Sequence, residues 1–541
     1  MSTIEWVRSV FPHTDPSPLR IGRQITSLFG RGTSEVLLLW ERGRLAQWHL
    51  ICSRCTVKRE GSQGRGQETT KPQGSIFTGR RNLLESSAVI LLLVKPKPAT
   101  SPLHSTEWQL FERLLPQQIL DNLDPKPPQT AYTPFVVTWL FIYQRLQGNA
   151  SLNDAVSEFI LRFPQQPLPD CRRGRPRELS ANTGAYSQAR SNLDSSVLYW
   201  AADNIFHSLV DTYPPSWMGR RAFIFDGSTL SLQSTPALRA AFPPASNQHG
   251  PSHWPILHIA VAHELASGLA LIPQFGPMYG PDAVSEIALA TRLLGQLPKG
   301  SILLADRNFG IFAFAHAGGQ AGHDVLLRLT ENRFRSLLGK ARQVEAGKWE
   351  ISWRPSRWDR KSNPHLPTDA LVQGWLYEVR ISDRLTLWLF STLDATAQQV
   401  AALYKQRIDV ETDIRDLKIT LEMDRLLGKS VEMVEKELVA GVVAYNLAKQ
   451  VRRLAAQRLK VEPRRLSFAG VLSLVKVFLS GVLGGKTEAE VQADFEILLR
   501  TAGQRKLPKR KAGRQYAREV IPRRRKFRER NRSKLDPSMA K

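Results

Sequence analysis

The stretch "RAFIFDGSTLSL", Arg221 to Leu232, sets an aspartate, Asp226, directly behind a run of apolar residues. Such a run reads as a buried strand with the acid near its end. "GSILLADRNFG", Gly300 to Gly310, repeats the arrangement with an apolar strand that ends at Asp306. A carboxylate in that position has no packing reason to be there: it neutralises, pairs or binds a metal. Between the two, "HWPILHIAVAHELASGLALIPQFG" reads as a hairpin turning at Ala266-Ser267-Gly268, and "DAVSEIALATRLLGQL" as an amphipathic helix. Short apolar runs alternating with helices predict an α/β or α+β layer fold.

Downstream, "DVLLRLT", "KWEISW", "LVQGWLYEVRIS" and "RLTLWLFST" are strand-like. Asp394 or Thr396, the latter with Gln399 at the third helical position, caps the helix that follows. That helix contains "LYKQRIDVETDIRDLK", Leu403 to Lys418. Taken as one continuous helix, it projects Tyr404, Arg407, Glu411 and Lys418 within one arc of about 60°. Leu403, Val410, Ile414 and Leu417 adjoin that arc, whereas Asp409, Asp413 and Asp416 fall on the opposite side, where a solvated face is expected. Glu411, at the core-facing edge among cations, reads as a structural ion pair or as a third carboxylate acting with Asp226 and Asp306. Three carboxylates on two strand ends and a helix would suit two divalent metals about 3.5–4 Å apart. Oxygen-only ligands favour Mg²⁺ or Mn²⁺ over zinc.

The chain has 541 residues, an ordinary 42% apolar fraction and a formal charge of +26. That length accommodates two to four domains and a sizeable core. The charge implies a polyanionic partner, nucleic acid or an acidic membrane surface. From Arg505 to Lys534 there are 15 Lys/Arg and two acids, Glu519 and Glu529, which is half of the surplus. The segment lacks a hydrophobic period and reads as a phosphate-binding tail, the alternative being a solubilising one. Arg173-Gly174-Arg175-Pro176 resembles an AT-hook core, whose arginines lie along a narrow minor groove; a plain basic linker is the other reading. Cys52, Cys55 and Cys171 make no disulfide framework, as expected of a reducing cytoplasm. The longest apolar run, Ala88 to Val94, is far short of the roughly 20 residues of a membrane helix.

Two patterns are false friends. "SGVLGGKT", Ser480 to Thr487, lacks the first glycine and the preceding strand of a P-loop. His258 and His263, five apart on a strand, face opposite sides and chelate poorly. Trp353, Trp358, Trp375 and Trp388, on or near the strand-like runs after Asp306, read as core residues.

Tyr404-x2-Arg407-x3-Glu411-x6-Lys418, with "FDGSTL" around Asp226 and "LLADRNFG" around Asp306, resembles the Y-R-E-K signature and the two aspartate motifs of bacterial insertion-sequence DDE transposases of the IS4 type. "GAYSQARSNL", Gly184 to Leu193, adds to the likeness, which runs from about Leu103 to about Arg530. The resemblance implies a ribonuclease-H-like α/β core with a β-rich insertion, a helical N-terminal DNA-binding region and a helical C-terminal region. The division expected is a poorly patterned extension over 1–102, read as lying upstream of the functional frame; a helical DNA-binding domain and basic linker over 103–195; the catalytic core over 196–430, with the insertion at about 331–384; a helical region over 431–504; and the basic tail over 505–541.

The resemblance further implies that Asp226, Asp306 and Glu411 hold two Mg²⁺ ions, with Mn²⁺ as a substitute, for phosphodiester hydrolysis and strand transfer. Tyr404, Arg407 and Lys418 would contact DNA phosphates, and one of Trp353, Trp358, Trp375 and Trp388 would stack on a flipped base in place of packing in the core. The DNA partners would be terminal inverted repeats and target DNA, bound by a homodimer in a synaptic complex, in the bacterial cytoplasm at the nucleoid and away from membranes. The alternatives are a regulatory copy that only binds DNA and another metal nuclease on the same fold.

Overall fold

The computed structural model describes residues 114–127, 130–162, 180–248, 250–382, 385–482 and 487–508, all within the unit His104–Lys541. The extension over 1–102, Arg173 and Arg175, and the tail from residue 509 lie outside them.

Among the described residues, five helices precede the first strand: α1 (Gln117–Leu123), α2 (Pro134–Leu146), α3 (Leu152–Arg162), α4 (Gly184–Asn192) and α5 (Ser195–Val210). Their starts follow from local chemistry. Thr133 caps α2, with proline at its first position. Ser151 and Asp154 exchange hydrogen bonds at the head of α3, the Asp154 N–H donating to Ser151 Oγ at 3.1 Å and the Ser151 N–H to Asp154 Oδ2 at 2.9 Å.

The strands of the main sheet are β1 (Ala222–Ser231), β2 (Ile256–Glu264), β3 (Gln274–Pro277), β4 (Ile302–Ala305), β5 (Asp324–Arg328), β6 (Arg342–Glu345), β7 (Lys348–Trp353), β8 (Val372–Ser382) and β9 (Leu385–Ser391). They form one nine-stranded sheet in the order β3-β2-β1-β4-β5-β9-β8-β7-β6. β1, β4 and β5 are mutually parallel and the remaining neighbours antiparallel. Between strands lie α6 (Pro236–Ala241), α7 (Glu286–Leu293), α8 (Phe312–Gln320), α9 (Glu331–Leu338) and α10 (Arg357–Ser362). This is a mixed α/β fold of the ribonuclease-H-like kind with helical flanks. The β-rich segment after β5 makes no separate layer; through β9 it extends the edge of the same sheet.

The central strands explain their unbroken apolar runs. Phe223, Phe225, Leu303, Ala305, Val325 and Leu327 pack into the core on one face. Ala222, Ile224, Ile302, Leu304 and Leu326 pack into a second core on the other. A sheet covered on both faces requires apolar residues at both parities, so the strands lose the alternation of a half-exposed one.

The second face is covered by α11 (Ala397–Lys405) and α12 (Ile408–Arg415), which contribute Val400, Leu403, Tyr404 and Val410. Thr396 and Gln399 form the expected capping box of α11. The continuous helix expected over 403–418 is not present. α11 ends at Lys405, α12 restarts at Ile408, and a π-helical turn covers Asp416–Thr420. Beyond it run α13 (Val431–Arg458), α14 (Phe468–Val482) and α15 (Glu488–Gly503).

The expectation of a solvated aspartate face is also overturned. Asp413 is 0% and Asp416 6% exposed. α13 lies across that side and buries Lys449 there, its Nζ 2.8 Å from Asp413 and 3.0 Å from Asp416. Arg464, on the 3₁₀ turn Pro463–Arg465, donates two hydrogen bonds to Asp413, at 3.1 and 2.8 Å, and pairs with Asp409 at 3.2 Å. A helical wheel cannot see a partner helix that brings its own cations.

Burial alone would raise the Asp413 carboxyl; Lys449 and Arg464 outweigh it and hold the group well below the usual carboxylate range. Its ionised form therefore stabilises the fold above about pH 4, and that contribution fades as pH falls further. His263, buried against Tyr445, is pushed down by burial to about 4, so its contribution is lost earlier, as pH falls from 6.5 towards 4. We expect Asp413→Asn to cost about 3–5 kcal/mol at pH 7, because it leaves buried cations under-compensated. Urea unfolding at pH 7 and pH 3 should show the gap between variant and wild type narrowing at the lower pH. A gap that does not change would mean that Asp413 is not ionised in the fold.

Candidate active site

In the parallel pairing of β1 with β4, Phe225 lies opposite Ala305. One residue further along each chain stand Asp226 and Asp306. Alternation puts both on the face of Ile224 and Leu304, which is the face that α11 and α12 cover. Adjacent strands are about 4.8 Å apart, so the two carboxylates are neighbours by construction. The Gly227 N–H donates to Asp226 Oδ1 at 2.9 Å, and the Asn308 N–H, in the turn after β4, donates to Asp306 Oδ1 at 2.8 Å.

Charge records the convergence. Asp226 is raised above the usual carboxylate range, first by burial and then by Asp306 and Glu411, while the Gly227 N–H and Arg407 oppose the shift. Glu411 extends from α12 with a side chain 63% exposed and accepts a hydrogen bond from Arg407, one turn earlier, at 3.3 Å. Tyr404 is buried beneath, and burial pushes its phenol up to about 12; Arg407, Arg328, Asp306 and Asp226 all act on it. Its hydroxyl has no hydrogen-bond partner among the described residues. Lys418, carried by the π-helical turn, donates to Ser228 Oγ at 2.9 Å, two residues past Asp226. Burial lowers its ammonium below the ordinary lysine range.

The structure thus gathers Asp226, Asp306, Glu411, Tyr404, Arg407 and Lys418 around the C-terminal end of β4 and the middle of β1. The interruptions of the helix do not scatter them, because α12 stays anchored by Val410 below and Asp413 behind. Arg173 and Arg175 lie outside the described residues. Among the four tryptophans, Trp353 is core, Trp375 and Trp388 are partly buried, and Trp358 is 74% exposed on α10 with Lys361 over its ring.

Two charged neighbours escape a reading of the sequence. Arg328 ends β5 and acts on Tyr404. Glu286 opens α7 behind its cap Ser285 and is raised to about 7 by burial, then by Asp226 and Asp306. An acid in the first helical turn is the ordinary complement of the helix dipole, so nothing in the local sequence sets Glu286 apart.

Residues 217–447 match the family described as "Transposase DDE domain". The chain is also similar to the protein named "Transposase InsG for insertion sequence element IS4" of Escherichia coli (strain K12). The two are 27% identical over 361 residues, which is 64% of this chain and 76% of that protein.

The unpartnered phenol makes a clean test of the site's packing. Tyr404→Phe should unfold at the same or a higher urea concentration than wild type, since it deletes a buried hydroxyl that gains nothing in the free protein. A loss above about 1 kcal/mol would mean that the hydroxyl already has a partner.

Proposed function

We propose, of a chain that carries a transposase DDE domain of the IS4 type, that it cuts and rejoins DNA at the ends of its insertion sequence. Asp226, Asp306 and Glu411 are the acidic triad. The observation that carries this reading is the placement of Asp226 and Asp306 side by side on the sheet face that α12 covers with Glu411.

The donor set suits hard divalent cations, two Mg²⁺ or Mn²⁺ ions, because it consists of carboxylate oxygens gathered closely enough to oppose one another's ionisation. Among the described residues no three acidic or histidine side chains already stand close enough to share an ion. Glu411 is occupied by Arg407. Such an exposed pair is worth little, about 0–1 kcal/mol, so a phosphate that claims Arg407 releases the glutamate towards the aspartates at small cost. Bound there, divalent cations would activate water and then a 3′-hydroxyl, and stabilise charge on the reacting phosphate.

The chain's own residues do the rest. Arg407 and Lys418 meet phosphate oxygens flanking the scissile bond, and the Tyr404 hydroxyl, without a hydrogen-bond partner among the described residues, donates to one of them. Trp358, exposed and away from the core, is the tryptophan of the β-rich segment available to stack on a base. The basic segment from Arg505 onwards, together with Arg173 and Arg175, binds backbone phosphates. The working form is a homodimer that pairs two element ends, acting on bacterial DNA in the cytoplasm. No helix among the described residues is long and apolar enough to cross a membrane.

The test is cleavage of labelled duplex carrying an element end, with Mg²⁺ and the full chain. Cutting at the element boundary is expected, falling to background in Glu411→Gln. Equal cutting of unrelated DNA would favour a general nuclease, and binding without cutting a regulatory copy. Removing residues after Pro508 tests the tail while sparing the hydrogen bonds of Arg505 with Ser467 and of Leu507 with Arg465. It should weaken binding to all sequences and flatten log K against log salt by about 0.9 for each phosphate that the tail had neutralised. An unchanged slope would remove the tail from the binding surface.

A further inference from the structure

Glu286 reaches the acidic site from the opposite side of the sheet. α7 packs Leu289, Ala290 and Leu293 into the core that contains Phe223 and Phe225, not the one under α12. Its first residue, Glu286, lies over the backbone of Gly227, immediately after Asp226. A Cβ built on Gly227 would overlap Glu286 Oε1 and come within 2.6 Å of its Cγ. The glutamate therefore occupies the space that the missing side chain leaves. The Gly227 N–H, which donates to Asp226 Oδ1 at 2.9 Å, also draws the Glu286 carboxylate. Two carboxylates from opposite faces thus converge on one amide.

Setting a further carboxylate over Gly227, next to Asp226, gathers like charges that oppose one another unless a counter-charge lies with them. Complementing the helix dipole accounts for an acid in this turn, and Ser285 caps α7 by accepting from the Ala288 N–H, but neither requires the carboxylate to reach over Gly227. The arrangement makes sense if a cation occupies the space between the carboxylates. On the reading of Asp226 and Asp306 as metal-holding residues, we infer that Glu286 is a positioning residue of that site, an outer carboxylate that reaches past Gly227 and strengthens cation binding there.

The prediction uses the full chain without DNA and Mn²⁺ as probe, with binding followed by the electron paramagnetic resonance signal of the free ion. Glu286→Gln keeps shape and hydrogen-bond acceptance but removes the charge. It should weaken Mn²⁺ binding about tenfold, the usual scale for outer-shell groups, with no fall in unfolding temperature because a repulsion is relieved. Affinity equal to wild type would overturn the inference, and a fall in stability without a fall in affinity would assign Glu286 a merely structural role. Gly227→Ala displaces the Glu286 carboxylate without altering its charge. It should reproduce the loss, with the double variant no weaker than Glu286→Gln, and it supplies the answer if Glu286→Gln does not fold. Asp226→Asn separates the two levels: if it too leaves Mn²⁺ binding intact, the acidic triad itself fails as a metal site, whereas loss of binding in Asp226→Asn with none in Glu286→Gln sinks only the role of Glu286.

Discussion

The buried contact of Asp413 with Lys449 and Arg464 is the constraint on which the candidate site depends. α12 is two turns long, bounded by a break at one end and a π-helical turn at the other, too short to hold its position by helical stability alone. What fixes it is a clamp. Val410 inserts into the core beneath the sheet face, and Asp413 is held from behind by cations of α13 and the 3₁₀ turn. Two residues before Asp413, on the side turned away from that clamp, stands Glu411. Fully desolvated charges are costly unless matched, so the match leaves α12 one orientation about its axis, and this orientation directs Glu411 towards Asp226 and Asp306.

The sheet supplies the other half. Parallel pairing of β1 and β4 forces successive same-parity residues into lateral register, so two aspartates that follow the apolar runs become neighbours. Both faces of the sheet are buried, one under α11 and α12 and the other under α7 and α8. Acids on both faces can therefore approach the same strand position, Asp226 from within the strand and Glu286 across Gly227. A glycine at residue 227 is what permits the second approach.

Much of this is legible in the chain alone. The strand that ends at Asp306, the hairpin turning at Ser267-Gly268, and the caps at Ser151 and Thr396 follow from local pattern, because each is set within a few residues. Asp226 departs from it: β1 continues to Ser231 through its pairing with β2, so this acid stands in mid-strand and not at the end. The grouping of Tyr404, Arg407, Glu411 and Lys418 follows from a continuous helix, and the helix is in fact broken. The grouping persists because the breaks on either side of α12 leave these side chains around the same strand ends. The aspartates depart from expectation for the converse reason: a wheel divides a helix into faces but says nothing of what packs on them, and Lys449 of α13 lies more than thirty residues further on.

The sequence by itself determined the two aspartates that follow apolar runs, the charged stripe containing Glu411 and the excess of positive charge, since spacing and composition are local quantities. Tertiary structure alone decided that Asp413 and Asp416 are buried counter-ions, that the β-rich segment prolongs the central sheet, and that Arg328 and Glu286 border the site. These last facts depend on which cation or backbone meets each residue across long chain separations, and the cost of leaving a charge unmatched in a desolvated interior decides between the possible partners.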